Sequence, residues 1–330
     1  FKPFVYSTAL ENGLTPSTLI LDAPFVMDQG EGKKNWKPEN YGKQFYGPST
    51  LRKGIEKSRN LMTVRIAKLI GLNKLVDTAK RFEIYEDIPE VLSISLGAGE
   101  TTLLKLTNAY CSFANGGKKV EPILIDRIQD RRGKTIFNAE KRICLDCEKI
   151  SYLKEELPKI QDNSAQIISP ETAYQMTSLL EGVVKRGTGR KLRFLNLPLA
   201  GKTGTTNKNM DAWFIGFTSN LVVGVYVGFD EPKTLGKYET GAKAALPIFK
   251  KIIEKTVKKG EVFPFKIPES INLVIVDYET GKPANLIDKN TIYESFKSKN
   301  SLNVNLENVI NTNTLGIHRT KTNTKILRLY

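Results

Sequence analysis

Residues Leu199-Ala-Gly-Lys-Thr-Gly-Thr-Thr206 and the run Asp211-Ala-Trp-Phe-Ile-Gly-Phe-Thr218 decide the fold of this chain. Glycines on both sides of Lys202 leave the backbone accessible, because they carry no side chain that would keep a ligand away. The polar side chains of the first segment are one cation and several hydroxyls, those of Lys202, Thr203, Thr205 and Thr206. We therefore predict an anion-binding strand at the edge of a β-sheet.

A phosphate-binding loop is the nearest competing motif for Gly201-Lys202-Thr203. That motif needs a glycine five residues before the second glycine, a strand before it and a helix after it. This sequence has no glycine at that position, and the segment that follows is strand-like. A lysine in an ordinary surface turn would be the simplest interpretation if the tripeptide stood alone, but two further motifs accompany it.

The second motif is Ser58-Arg59-Asn60, which lies between two predicted helices. The hydroxyl and the amide belong to neither helical face, so both can point into one cleft. Ser-x-Asn is also a common helix-capping sequence, which is the alternative interpretation of this segment.

The third motif is Lys2 in Phe1-Lys-Pro-Phe-Val-Tyr6. Pro3 is tolerated only near a helix start, so we predict a helix over residues 1–10 that ends at Glu11-Asn-Gly13. Lys2 then lies on the first turn, where it can face a neighbouring group.

Composition limits the possible partners and compartments. The 330 residues are 40% hydrophobic and 26% charged, which is ordinary for a globular protein. A net charge of +15 favours an anionic partner: nucleic acid, an anionic membrane surface or a polyanionic polymer near it. No nucleic-acid-binding signature is present, so nucleic acid is not predicted as a partner. No apolar run is long enough to span a membrane, and the chain begins at Phe1 without a signal sequence, so we interpret it as a fragment.

Histidine and cysteine content limit the chemistry. The one histidine, His318, lies in a polar tail, so neither a histidine relay nor a catalytic zinc site is predicted. If the protein catalyses a nucleophilic reaction, the general base must be a lysine. No metal or other cofactor is expected. Cys144-Leu-Asp-Cys147 closes a local disulfide in an oxidising compartment or holds free thiols, whereas Cys111 is a core residue.

The remaining pattern gives the domain organisation. We predict one domain over residues 1–265 with a surface insert near 119–168, followed by an extension over 266–330 that is largely disordered beyond about 295. Three predicted helices precede the insert: one that starts at Ser49 and Thr50, one over 62–70 and one over 101–114. The insert contains a hairpin over 120–138. A helix from Ser169, a hairpin over 211–229 and a helix over 242–259 follow the insert, and the extension contains a strand over 271–276.

Taken together, Lys2, Ser58-Arg59-Asn60 and Lys202-Thr203-Gly204 resemble the ordered motifs Ser-x-x-Lys, Ser-x-Asn and Lys-Thr-Gly of the penicilloyl-serine transferases. The surrounding sequence is similar to the transpeptidase domain of the class A, bifunctional penicillin-binding proteins. The segments that carry this resemblance are Thr50-Leu-Arg52, Val64-Arg65, Gly187-Thr-Gly189, Gly201-Lys-Thr-Gly-Thr-Thr206 and Asp211-Ala-Trp-Phe214.

The sequence departs from the family pattern at its beginning. The nucleophilic serine stands three residues before the first-motif lysine, which is upstream of Phe1. We therefore expect that this chain alone forms no acyl-enzyme and is inactive. The Ser-x-x-Lys within the chain, Ser151-Tyr-Leu-Lys154, lies in the predicted insert after Ser-x-Asn and lacks the context of a nucleophile.

The resemblance implies a serine-type D-Ala-D-Ala transpeptidase that cross-links peptidoglycan stem peptides and is a target of β-lactams. It implies Lys2 as the general base, Ser58 as a proton relay, Lys202 as the source of the local field and Asn60 as a ligand of the substrate amide. Substrate binding is assigned to Thr203, Gly204 and Thr205, which would hold the terminal carboxylate and contribute to an oxyanion hole.

The implied fold is an α/β (α+β) fold like that of serine β-lactamases, with an antiparallel sheet flanked by helices and a helical subdomain. The family also implies an N-terminal membrane anchor and a glycosyltransferase domain outside this chain, with the catalytic domain in the periplasm at the bacterial inner membrane. Two alternatives stay open: a D,D-carboxypeptidase or β-lactamase type of hydrolase, and a non-catalytic binding module or inert fragment.

Overall fold

The computed structural model describes residues 1–32, 34–140, 142–145, 159–258 and 260–298. Its helices, in chain order, are α1 (Lys2–Glu11), α2 (Leu51–Glu56), α3 (Asn60–Ile70), α4 (Leu72–Arg81), α5 (Leu103–Ala114), α6 (Pro170–Lys185) and α7 (Ala245–Thr256). Its strands are β1 (Leu19–Asp22), β2 (Gly47–Thr50), β3 (Arg127–Gln129), β4 (Thr135–Asn138), β5 (Ile143–Cys144), β6 (Ile160–Gln161), β7 (Ala200–Thr205), β8 (Ala212–Phe217), β9 (Val222–Val227), β10 (Ile271–Asp277) and β11 (Thr291–Lys297).

The sheet at the centre of the domain is antiparallel, with β8 between β7 and β9. Lys202 of β7 pairs with Ile215 of β8, and Phe217 of β8 pairs with Val222 of β9 across a tight turn. The predicted hairpin over 211–229 is therefore confirmed. Among the described residues, β7 pairs with β8 alone, so the Lys202 segment lies at an edge of this sheet, as its sequence predicts.

Alternation of side chains along β8 places helices on both faces of the sheet. Ile215 and Phe217 belong to the large hydrophobic cluster that α1, α3, α5 and α6 also form. Phe214 points the other way and packs against Phe249 of α7, with 4.7 Å between the ring centroids. This arrangement follows from the period of two in a strand, and it confirms the α/β fold class.

Helix α1 is a core helix and holds Lys2 at its N-terminal end. All residues from Pro3 to Leu10 are buried, so neighbours surround the helix on every side. Phe4 is in ring contact with Phe82, Tyr110 and Phe113. A helix that is enclosed in this way has little freedom to move, so Lys2 projects from a rigid support.

Two predicted helix starts are wrong by a few residues. Thr50, and not Ser49, caps α2, because its hydroxyl accepts a hydrogen bond from the Lys53 N–H at 3.2 Å while Ser49 pairs within β2. Helix α7 begins at Ala245, so Pro247 lies in its first turn. A proline there removes an N–H that has no helical partner, whereas the predicted start at residue 242 would place this proline in the helix interior.

The segment beyond residue 265 carries a second antiparallel hairpin, in which β10 and β11 pair from Ile271 with Lys297 to Asp277 with Thr291. It packs against the domain, since the Gln175 side chain of α6 donates to the backbone oxygen of Ser295 at 2.8 Å. Strand β11 extends to Lys297, close to the limit of about 295 beyond which we predict that the chain is largely disordered. The rest of that prediction concerns residues 299–330, which lie outside the described ranges.

Parts of the predicted insert are described. The hairpin of β3 and β4 turns at Asp130, whose carboxylate accepts hydrogen bonds from the N–H groups of Arg132 and Lys134, both under 3.0 Å. Cys147, Ser151 and Lys154 lie outside the described ranges, so the predicted pairing of Cys144 with Cys147 stays a prediction. Within the described ranges, no helix is both long enough and apolar enough to cross a bilayer.

Candidate active site

Lys202 is almost completely buried on the edge strand β7, with 5% of its surface exposed. It lies on the same face of the strand as Ala200, which belongs to the large hydrophobic cluster, so its side chain runs toward the helical part of the domain. Its ammonium group contacts the Ser58 hydroxyl at 2.8 Å and the backbone oxygen of Thr203 at 2.9 Å. Strand β7 thus delivers a cation to the junction between α2 and α3.

Ser58 lies at that junction in the left-handed region, with φ of 56°. The turn is stabilised by two backbone hydrogen bonds to α2, from Ser58 N–H to Ile55 at 3.1 Å and from Arg59 N–H to Gly54 at 2.8 Å. A left-handed residue other than glycine costs about 1 kcal/mol or more, and such residues concentrate at functional sites. The strained turn points the Ser58 hydroxyl out of both helices and toward the two lysines.

Lys2 reaches the same turn from α1. Its Nζ lies 2.7 Å from the backbone oxygen of Ser58, 3.1 Å from the Ser58 Oγ and 2.5 Å from Oδ1 of Asn60. The carbonyl and the amide oxygen can only accept hydrogen bonds, so they take two N–H groups of Lys2. In a neutral amine the lone pair then remains for the Ser58 hydroxyl.

The two lysines lower each other's tendency to hold a proton. Since both contact one hydroxyl, their nitrogens lie within about 6 Å of each other, a range in which like charges disfavour the charged form. Burial, followed by the charge of Lys202, lowers the pKa of Lys2 well below its usual range. Burial lowers the pKa of Lys202 to about 7.

A hydroxyl has one proton to donate and two lone pairs to accept with. Ser58 can therefore donate to a neutral Lys2 while it accepts from a charged Lys202. A substrate group placed beside this hydroxyl would have a proton donor, a proton acceptor and a cation within reach. The geometry is suited to general acid–base catalysis on an acyl group.

The hydroxyls of Thr203 and Thr205 alternate with Lys202 along the edge strand β7. The Thr203 hydroxyl shares a hydrogen bond of 2.8 Å with the hydroxyl of Thr188, and the Thr205 hydroxyl accepts from the Gly241 N–H at 3.1 Å. Gly204 lies between them, where an added Cβ would approach the Cβ of Trp213 to 3.0 Å. The candidate substrate residues Thr203, Gly204 and Thr205 therefore form one polar edge.

Gly201 has a packing role that the sequence did not suggest. A Cβ at this position would lie 2.8 Å from the Phe214 ring and 2.9 Å from the Ile215 backbone oxygen. The glycine therefore allows β8 to approach β7, whereas we predicted that both glycines serve a ligand.

The structure brings together all of the predicted catalytic residues, Lys2, Ser58, Asn60 and Lys202. Sequence reasoning missed Asn40, which accepts a hydrogen bond from the Asn60 N–H at 2.8 Å. It also assigned no role to Thr188, whose contact with Thr203 depends on folding. Among the described residues there is no group of three or more histidine, cysteine or acidic side chains that could hold a metal ion.

Comparison with known proteins places this site in a family. The family described as "Penicillin binding protein transpeptidase domain" matches residues 1–254, which ends before the predicted boundary at 265. Penicillin-binding protein 1A of Rickettsia typhi is 47% identical over 301 residues, a match that covers 91% of this chain and 38% of that protein. Penicillin-binding protein 1A of Pseudomonas aeruginosa is 35% identical over 332 residues, with coverage of 91% and 40%.

The solved structures agree with the sequence matches. The crystal structure of Penicillin-Binding Protein 1A from Haemophilus influenzae superposes with a TM-score of 0.76 at 31% identity, covering 89% of this chain and 46% of that one. This chain thus spans less than half the length of these relatives. The family match, the relatives and the three assembled motifs agree: the chain belongs to the penicillin-binding protein transpeptidase family.

Proposed function

We propose that this domain is the D,D-transpeptidase part of a peptidoglycan synthase, acting on D-Ala-D-Ala stem peptides through a serine acyl-enzyme that β-lactams also form. The observation that carries this proposal is the Ser58 hydroxyl, which lies within hydrogen-bond distance of both Lys2 and Lys202. The nucleophile is the serine that the family pattern places three residues before Lys2.

In the acylation step, the upstream serine oxygen attacks the carbonyl carbon between the two D-alanines, and the Lys2 amine takes the hydroxyl proton. The C–N bond then breaks. Ser58 gives its proton to the leaving nitrogen and takes the proton that Lys2 holds, so D-alanine departs as a neutral amine, the serine ester remains and Lys2 is again a free base. The free lone pair of Lys2 and its lowered pKa support its role as the base.

The polar edge of β7 is suited to the substrate's charged end. Thr203 and Thr205 would hold the terminal carboxylate beside the field of Lys202, and Asn60 would bind the peptide amide. The N–H of Thr205, with that of the upstream serine, would form an oxyanion hole, and such a donor is worth about 3 to 4 kcal/mol in other enzymes.

In the transfer step, an amine from a neighbouring stem peptide attacks the ester carbonyl. Its nitrogen forms the new amide bond, its proton passes to the base, and the serine hydroxyl is regenerated. For the whole protein we propose a membrane anchor, a glycosyltransferase domain and a periplasmic site of action, which are what the class A resemblance implies.

Labelling of the full-length protein with a fluorescent penicillin tests this function, with intact mass as the readout. We expect one adduct per molecule, and we expect Lys2→Ala, Ser58→Ala and Lys202→Ala each to slow labelling by at least about 100-fold. Lys185→Ala is the control, because this exposed lysine pairs with Glu181 on the surface of α6.

Failure of the folded full-length protein to label would overturn the proposal. The 330-residue chain alone should stay unlabelled, and an adduct on it would place the nucleophile within residues 1–330. The second product formed from a stem peptide with an added amine distinguishes transfer from hydrolysis. Both reactions release D-alanine, but a transpeptidase gives the amide product in preference to the acid.

A further inference from the structure

A side chain from a distant segment caps the helix that carries Asn60. Asn40 lies in the connection between β1 and β2 and is 5% exposed. Its Oδ1 accepts hydrogen bonds from the N–H groups of Asn60 at 2.8 Å and Leu61 at 3.3 Å, which are the first two of α3. The residue at the usual capping position, Arg59, makes no side-chain cap, so Asn40 takes that role.

The other end of Asn40 is fixed as well. Its Nδ2 donates to Oδ1 of Asp22 at 2.8 Å and to the backbone oxygen of Gln44 at 2.9 Å. Asp22 is the last residue of β1 and is completely buried. Both donors and the acceptor of the Asn40 amide are thus occupied, so the amide has one favourable orientation.

The neighbouring residue fixes the side chain of Asn60. The Glu39 backbone oxygen accepts a hydrogen bond from Nδ2 of Asn60 at 2.7 Å. Because the amide nitrogen is held by Glu39, the amide oxygen faces Lys2, where it takes an N–H. We call these two residues the Glu39–Asn40 clamp, since one holds the side chain of Asn60 and the other holds its backbone.

The orientation of the Asn60 amide matters to the base. With Oδ1 toward Lys2, the two acceptors Asn60 and the Ser58 carbonyl take both N–H groups of a neutral amine. If the amide were reversed, its N–H would compete for the Lys2 lone pair, which is the group that must accept a proton. The clamp therefore keeps that lone pair available.

We propose that Asn40 is a positioning residue for acylation, which acts through Asn60 to keep the lone pair of Lys2 directed at a hydroxyl. The inference rests on the proposed transpeptidase function. Asp22 supports the clamp from below, and its second oxygen lies 3.7 Å from Nε of Arg59, the residue between Ser58 and Asn60. The ring of Tyr46 packs against the same guanidinium, so the β1–β2 connection contacts both Arg59 and Asn60 of the Ser-x-Asn turn.

The test measures acylation of the full-length protein by a penicillin as a function of its concentration. We expect Asn40→Ala to lower the rate constant at saturating penicillin by about 10- to 100-fold, because misplaced catalytic groups lose this much. The penicillin concentration that gives half-saturation should change by a smaller factor than the rate constant, since Asn40 reaches the substrate only through Asn60 and does not line the polar edge of β7.

Asn108→Ala is the matched control. Asn108 also ties a helix to a loop, by donating from its side chain to the Val120 backbone oxygen at 2.9 Å, but it lies on α5. We expect both variants to lower the melting temperature and only Asn40→Ala to slow acylation. A saturating rate constant for Asn40→Ala within about 3-fold of wild type would overturn the inference. Failure of the wild-type protein to acylate would instead overturn the transpeptidase proposal.

Exchanging the carboxylate of Asp22 with the amide of Asn40 tests the proposal if Asn40→Ala does not fold. Asn40→Asp retains the acceptor for the two α3 N–H groups but faces the Asp22 carboxylate, so it should acylate slowly. Adding Asp22→Asn restores a donor between the two positions and should recover much of the rate, although the Gln44 carbonyl loses its donor. A double variant no faster than Asn40→Asp would contradict the positioning role.

Discussion

Replacing Glu294 by glutamine tests whether the C-terminal hairpin is an integral part of the domain. Glu294 of β11 forms a two-point ion pair with Arg52 of α2, in which Nη2 of Arg52 lies 2.6 Å from one carboxylate oxygen and Nε contacts the other. Both side chains are almost completely buried. The pair joins the hairpin to the helix that ends two residues before Ser58.

The structure gives the size of the expected effect. Arg52 also contacts Glu56 at 3.2 Å, and Arg186 contacts the same carboxylate at 2.6 Å. Without Glu294, two guanidinium groups share a single buried carboxylate. Breaking a buried ion pair by removing one partner destabilises by about 3 to 5 kcal/mol, since the remaining charge stays desolvated. At about 2 °C per kcal/mol for a domain of this size, the melting temperature should fall by about 6 to 10 °C.

Thermal unfolding followed by circular dichroism measures this change. The control is Glu279→Gln, which breaks the pair that Glu279 forms with Lys53 between the same hairpin and the same helix. Because more than half of the Glu279 side chain is exposed, its loss should cost less than about 1 kcal/mol. Equal shifts for the two variants would refute the reasoning, since Glu56 would then be sufficient as the counter-ion of Arg52.

Three further predictions concern the site. Lys202→Met removes a charge that lowers the pKa of Lys2, so the acid limb of the acylation rate should move to higher pH. Lys202 holds its proton up to about pH 10.5 in the unfolded chain but only to about pH 7 in the folded protein, so its deprotonation should make the wild type more stable between these pH values. Urea unfolding as a function of pH should show that the variant lacks this gain. Gly187→Ala places a Cβ 2.3 Å from the Glu56 backbone oxygen, so we expect a loss of several degrees in melting temperature, and an unchanged value would contradict the packing described. Thr188→Val removes the hydroxyl that orients β7 and should raise the half-saturating penicillin concentration by about 3- to 10-fold, while an unchanged value would exclude a role in binding.

Local sequence signals predicted much of the fold. The start of α6 at Ser169 is confirmed, because the hydroxyl accepts from the Thr172 N–H and Pro170 follows it. The end of α3 at Gly71 is confirmed for a similar reason, since this glycine has φ of 90°, which other residues rarely adopt. Features of this kind depend on neighbours in the chain, so a sequence reveals them.

Strand β11 was missed because it reverses the usual pattern of burial. The polar residues Glu294 and Ser295 are both buried, and Glu294 pairs with Arg52, while Tyr293 is exposed. A run with polar residues inside and an aromatic residue outside does not show the apolar alternation of a strand. Its partner β10, which is rich in isoleucine and valine, was predicted.

The sequence predicted only those residues of the site that belong to a recognisable motif. Lys2, Ser58 and Lys202 were identified by the order of three short patterns, and the structure adds their contacts. Asn40 could not be found in this way. It lies in a segment rich in proline, glycine and asparagine. In such a segment, an asparagine that caps a distant helix has the same neighbours in sequence as an asparagine in a solvent-exposed turn, so the two cannot be told apart.

The pair between Arg52 and Glu294 has a consequence for the order in which the protein is made. The two residues are 242 positions apart, so a ribosome releases α2 long before β11. During that interval the charges of α2 lack the partner that they have in the native domain, and the turn that carries Ser58 lacks part of its support. Domains with such distant contacts fold slowly and expose unfinished surfaces to chaperones. The turn that carries Ser58 should therefore reach its native structure late in synthesis, because α2 gains the ion pair with Glu294 only after β11 has been made.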